Sequence, residues 1–178
     1  MFLNKIDNHS QEALTPEGLC NLIEMDFIPD IQLSLEDIQK YFDKNIHTKA
    51  DPVSAELVAL MFIKLKDELD HLFRKEKGIL FPFIKQSFAG TMRVGKSKGI
   101  DAKVIDSLNK TQKGIIQLLQ KMRQVLNNYS PLSYSTPEWK DCVNDMFELE
   151  NKIFQWIHIE QTLLYPKVVE HKPDFLYN

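Results

Sequence analysis

The chain has 178 residues, with 22 Lys and Arg against 25 Asp and Glu for a formal charge of −3, 43% hydrophobic residues, 6 glycines and 8 prolines. This is the composition of one globular domain, and its mild acidity argues against a dedicated nucleic-acid binder, which carries a strongly basic face. The longest apolar runs, Leu57–Ile63 and Gly78–Ile84, are far shorter than the ~20 residues a membrane-spanning helix needs, so no membrane role is expected.

The opening stretch MFLNKIDNHSQE contains Asp7 and Glu12 and lacks the unbroken apolar core of a secretory signal, which makes a cytoplasmic address the expectation. Cys20 and Cys142 belong to no CxxC or Cys/His spacing, so neither a disulfide framework nor a zinc finger is expected. Residues 1–33, punctuated by Pro16, Gly18 and Pro29, read as an irregular N-terminal arm with one short helix near 15–25. Ser34 then precedes Leu35, Ile38, Phe42 and Ile46, with Asp37 in the first turn, and this capped periodicity predicts a first helix over 35–47. Asp51-Pro52 opens a second helix over 52–81, whose apolar positions recur at 58, 62, 65, 69, 72 and 80.

A glycine- and lysine-rich loop is expected over 86–100, containing Gly90, Gly95, Gly99, Arg93, Lys96 and Lys98. The third helix covers 101–127, with Ile105, Leu108, Ile115, Leu119, Met122 and Leu126 on one face. After the turn-rich stretch NNYSPLSYS, Thr136-Pro137-Glu138 starts a fourth helix over 137–165. No segment of any length alternates with period two, while Glu36/Lys40, Asp70/Arg74 and Glu148/Lys152 supply the charge pairs of exposed helix faces. The expected fold is all-α, an up-down four-helix bundle over 34–170 followed by a C-terminal tail, 171–178.

Two glutamates interrupt this pattern. The second helix's stripe, Val58, Phe62, Leu65, Leu69, Leu72 and Leu80, is apolar except at Glu76; the fourth helix's, Met146, Leu149, Ile153, Trp156 and Leu163, is apolar except at Glu160. Both sit in the sequence E-x-x-[IL]-L-[FY]-P, as EKGILFP and EQTLLYP, an internal repeat of a helix ending. A carboxylate inside a bundle must find a cation, a hydrogen-bond donor or a proton. Carboxylates projecting inward from facing helices are also how bundles hold di-metal centres, so Glu76 and Glu160 are the candidate metal residues.

On the stretches FQWIHIEQTLLYPKV (154–168) and ELDHLFRKEKGILFPFI (68–84), the chain resembles the hemerythrin-like (HHE) family, and within it the di-iron domain of iron–sulfur cluster repair proteins. The family's half-motifs read approximately H-x-x-x-E-E-x-x-L-F-P and H-x-H-x-E-x-x-x-L-F-P. The resemblance implies a four-helix fold and, where the histidines are present, a non-haem di-iron site. In this chain the histidine positions fall on Leu72 and Trp156, with the third-helix ligand on Asn109 and the first-helix ligand near Phe42. Large apolar side chains there would fill the volume of a metal and its ligands, a plugged site in which the two glutamates share a proton or bond Tyr41 or Asn109.

Two other histidines are candidate replacement ligands. His71 precedes Glu76 by five residues, about 140° around a regular helix, and rejoins the site only through a π-bulge. His47, at the end of the first helix, is either a cap on the helix dipole or a shifted ligand; His158 points away. The expected function is therefore a metal-free or metal-poor, non-enzymatic binding, sensing or structural protein that works as a monomer or homodimer with a protein partner. The alternative keeps iron, mono- or di-nuclear, for oxygen or nitric oxide handling or iron–sulfur cluster repair. A remote alternative is nucleotide binding at 90–97, where GTMRVGKS fits G-x-x-x-x-G-K-[ST] but lacks the strand a P-loop requires. Cys142, beside Val143 and Met146, reads as a packing residue.

Overall fold

The computed structural model describes residues 15–45, 54–88 and 102–170, which form four long helices joined, where the connection is described, by one turn. α1 runs as Pro16–Leu22, widens through a π-turn at Ile23–Phe27 and continues as Ile28–Asn45. α2 consists of Ser54–Lys75, a π-turn at Glu76–Leu80 and Phe81–Phe88; α3 is the unbroken Ala102–Val125. α4 comprises Pro137–Ile159, a π-turn at Glu160–Leu164 and Tyr165–Glu170. Among the described residues there is no strand, and no helix is long and apolar enough to cross a membrane.

The opening turns of α1 pack against the closing turns of both α2 and α4, so α1 is antiparallel to each. Hydrogen bonds join Gln112 to Glu160 and Arg123 to Glu150, so α3 and α4 are antiparallel as well. The result is an all-α, up-down bundle with one continuous core. The expected stripes line it: Val58, Phe62, Leu65, Leu69 and Leu72 from α2, Ile115, Leu119 and Met122 from α3, and Met146, Leu149, Ile153 and Trp156 from α4 are all buried.

The first helix begins nineteen residues earlier than its periodicity predicts. Thr15 is its N-cap, with Oγ1 accepting from the Gly18 amide at 3.0 Å, and Ser34 is an interior residue whose hydroxyl donates to the Asp30 carbonyl at 3.1 Å. The short helix near 15–25 and the helix from 35 are thus one rod, and residue 34 lies within it rather than at a boundary. Pro29 does not break this rod, for a reason that also applies to Pro82 and Pro166. A helical proline lacks an N–H, and its ring collides with the carbonyl four residues back. Those carbonyls belong to Met25, Gly78 and Thr162, each the third residue of a π-turn. The wider turn moves the carbonyl out of the ring's way. α2 and α4 therefore continue past the ends predicted at 81 and 165.

Thr136 caps α4 as the sequence predicts, its Oγ1 accepting from the Trp139 amide at 3.2 Å with Pro137 at the first helical position. Thr136→Ala is expected to lower folding stability by about 1 kcal/mol, read as a lower urea midpoint with an unchanged m-value. Before this cap the chain turns through three successive left-handed residues, Asn127, Asn128 and Tyr129. The Tyr129 ring packs against Phe147 at 5.6 Å, which holds this costly conformation in place.

Candidate functional site

Each π-turn of α2 and α4 begins on one of the two anomalous glutamates, and both side chains have 0% exposure. They meet in the core where α2, α3 and α4 come together, covered by the opening turns of α1. Their surroundings are unequal. Glu160 Oε2 accepts a short hydrogen bond from the Gln112 side-chain amide and another from the Tyr165 hydroxyl at 3.0 Å. Gln112 Nε2 also donates to the Tyr165 oxygen at 3.0 Å, and Gln112 Oε1 accepts from Gln161 Nε2 at 2.9 Å. The buried Trp156 indole N–H lies beside the same carboxyl and favours its ionised form. Glu76 has no such support, since among the described residues neither of its oxygens receives a hydrogen bond from a fixed donor.

The electrostatics follow this asymmetry. Burial, then the charge of Glu160, holds the Glu76 carboxyl well above the ordinary carboxylate range. Burial also pushes Glu160 up, to about 8, against the opposing pull of its donors Tyr165, Glu76 and Gln112 and of the adjacent Trp156 N–H. The arrangement that satisfies both carboxyls is one proton seated on Glu76 and donated to Glu160. Tyr165 is pushed far above its ordinary range by burial and by the two carboxyls, so it remains a neutral hydroxyl donor.

α1 meets this region through Pro16–Leu22, which packs against the Glu160–Leu164 turn. Buried Cys20 is held as a thiol, pushed up to about 12 by burial against the Lys85 cation, with Glu160, Glu24 and Glu76 adding to the shift. Lys85 and Glu24 form an ion pair at 2.7 Å that ties this end of α1 to α2. Ile23, fully buried, begins α1's own π-turn, as Glu76 and Glu160 begin theirs. The sequence from Ile23, IEMDFIP, keeps only the proline of the helix-ending pattern, so this third π-turn repeats the other two in structure and not in sequence.

Several expected positions need correction. Phe42 packs on Phe62 at 5.5 Å between ring centroids, fourteen residues before Glu76 and about 21 Å from it along α2. It belongs to the opposite end of the bundle. Tyr41 packs on Phe42 and Trp139 at that same end. Asn109 is half-buried at the edge of an open groove between α3 and α4, and Gln112, one turn later, faces the carboxyls. Its signal was legible: position 112 is the gap in α3's apolar stripe between Leu108 and Ile115. α2 does widen into a π-turn, but it starts at Glu76, downstream of His71. His71 consequently stays exposed, with its ring nitrogen 3.3 Å from the Arg74 guanidinium.

His158 is exposed, and His47 and the loop 90–97 lie outside the described residues. Leu72 and Trp156, one turn before Glu76 and Glu160, are fully buried, with Trp156 against the Phe73 ring at 5.0 Å. Among the described residues no three His, Cys, Asp or Glu side chains cluster as a metal site. Cys142 is buried in the core, as expected of a packing residue.

A third buried carboxylate, Glu150, does not stand out in the sequence. Its Oε2 is 2.9 Å from an Arg123 guanidinium nitrogen, and the Tyr129 hydroxyl lies nearby. This group pins the α3–α4 turn to the helices on either side of it.

No family model matches the chain. It is similar to the iron-sulfur cluster repair protein YtfE of Escherichia coli O81 (strain ED1a) and to the protein of the same name from Escherichia fergusonii. In both cases 28% of 105 residues are identical, 59% of this chain and 44% of the relative. The match thus spans less than half the length of these relatives.

Proposed function

We propose that this chain is a diverged hemerythrin-like domain, metal-free or metal-poor, that serves as a non-enzymatic binding, sensing or structural protein in the cytoplasm. Its likeness to iron–sulfur cluster repair proteins and the E-x-x-[IL]-L-[FY]-P repeat support the family reading. The metal-poor reading rests on what surrounds the two glutamates. A di-iron pair held by a bundle draws on imidazoles as well as carboxylates. Here the positions one turn before each glutamate carry Leu72 and Trp156, the α3 position carries Gln112, and the turn of α1 that begins like the other two carries Ile23. None of these four side chains offers a metal an imidazole or a carboxylate, and the residues do not fit a di-iron centre.

Buried carboxyls still need compensation, and a shared proton together with the Gln112 and Tyr165 donors supplies it without a metal. The test is metal content on untagged protein, purified anaerobically from iron-supplemented cells. Less than about a tenth of an iron per chain, with the helical spectrum intact, is the expected result. Near two irons per chain with charge-transfer absorption overturns it. That outcome favours the second reading, a non-haem iron protein in oxygen or nitric oxide handling or cluster repair, which the relatives' name and the retention of both glutamates support.

A further inference from the structure

We infer that Gln112 is the residue that closes the Glu76–Glu160 pair to cations. The inference rests on the metal-poor reading and assigns it to one side chain. Gln112 is fully buried in α3, and both ends of its amide are engaged. Nε2 aims its hydrogens at Glu160 Oε2 and at the Tyr165 oxygen, while Oε1 accepts from Gln161.

A cation bound to Glu160 Oε2 must sit where these hydrogens point, and an N–H donor repels it from that place. Nor does the amide turn over to offer its oxygen instead. Turned over, Oε1 faces the Glu160 carboxylate, acceptor against acceptor, and the exposed Gln161 amide has to turn over as well before it can accept from Nε2. The contact with Glu160 lies inside the core, where such a loss is largest. Gln161, an exposed residue, holds Oε1 from the α3–α4 groove, an open concavity of about 700 Å³ also lined by Ile105, Asn109, Lys113 and Tyr165. Leu72 and Trp156 add no lone pair, and among the described residues of α3 it is Gln112 that bonds the pair's carboxylate oxygen.

The ions to test are divalent first-row metals, which take imidazole and carboxylate together. Wild type, Gln112→His and Gln112→Met are titrated with Fe²⁺ under anaerobic conditions and with Zn²⁺. Bound metal is counted after desalting, and the thermal midpoint and helical circular dichroism are recorded for each. Gln112→His replaces the donor with a ligand and is expected to retain one ion per chain and melt higher with metal. Adding Glu160→Gln should abolish both effects. Gln112→Met keeps the volume and removes the donor, and should bind at least about tenfold more tightly than wild type without matching the histidine variant. Either folded variant decides the matter. A wild type that stays empty beside variants that fold and also stay empty overturns the role of Gln112 alone. A wild type that loads metal overturns the metal-poor reading beneath it.

Discussion

Glu160→Leu is expected to cost about 3 kcal/mol of folding stability, while Glu76→Leu leaves stability unchanged or raises it by up to about 2 kcal/mol. The two residues occupy matching sequence contexts and equal burial, so neither sequence nor exposure distinguishes them. Their partners do. Removing the Glu160 carboxylate takes away the acceptor of both the Gln112 amide and the Tyr165 hydroxyl in the core, leaving Gln112 its one bond to the Tyr165 oxygen and the Tyr165 hydroxyl hydrogen no acceptor. An orphaned buried donor carries its full desolvation cost. Removing Glu76 strands no donor: it takes the shared proton from Glu160, while Glu160 Oε2 keeps the Gln112 and Tyr165 donors. Leucine at 76 also completes the stripe that runs from Leu72 to Leu80. Chemical denaturation of the two variants at neutral pH, with m-values compared to wild type, measures the difference. Equal losses from both would contradict the asymmetric pair.

Stability is also expected to fall as pH rises from about 5 to 8, by up to about 1.4 kcal/mol per pH unit for each proton the core retains. Burial raises both carboxyls in the folded chain, Glu160 to about 8 and Glu76 well above its ordinary value, whereas in the unfolded chain each titrates near 4.5. Between those values the folded state keeps a proton that the unfolded state has released. The stabilisation is complete below the unfolded value and is lost as pH climbs through the folded one, opposite in sign to that of a salt-bridged surface carboxylate. Lys85 and Glu24, the charged groups that act on neighbouring Cys20, form an ion pair with each other, and Cys20 remains a thiol throughout the range. Melting curves at half-unit steps, for wild type and for the Glu76→Gln/Glu160→Gln double variant, isolate the effect. The double variant should be nearly flat over this range. A wild-type curve parallel to it would show that the pair is ionised in the folded protein.

The features set by residues close together in the chain are legible in the sequence. Helix class, the α4 start at Thr136, the apolar stripes and the two glutamates that interrupt them all follow from a 3.6-residue period and from capping chemistry acting over one or two turns. Even the π-turns left a local mark, because each stands in the same relation to a proline six residues after its first residue. Read singly, those prolines look like helix ends. Read together, they mark helices that continue, which is why the start of α1 and the ends of α2 and α4 were misplaced.

By itself the sequence determined the all-α class, the content of the core faces and the identity of Glu76 and Glu160 as the residues that violate them. Only the tertiary structure decided which residues of the other helices meet that pair: Gln112 rather than Asn109, the turns around Cys20 and Ile23 rather than Phe42, and neither His71 nor His158. The reason is geometric. Periodicity states which face of a helix is apolar, but not how far the helix slides along its neighbours. A slide of one turn, about 5.4 Å, exchanges one inward residue for the next while leaving every local pattern unchanged.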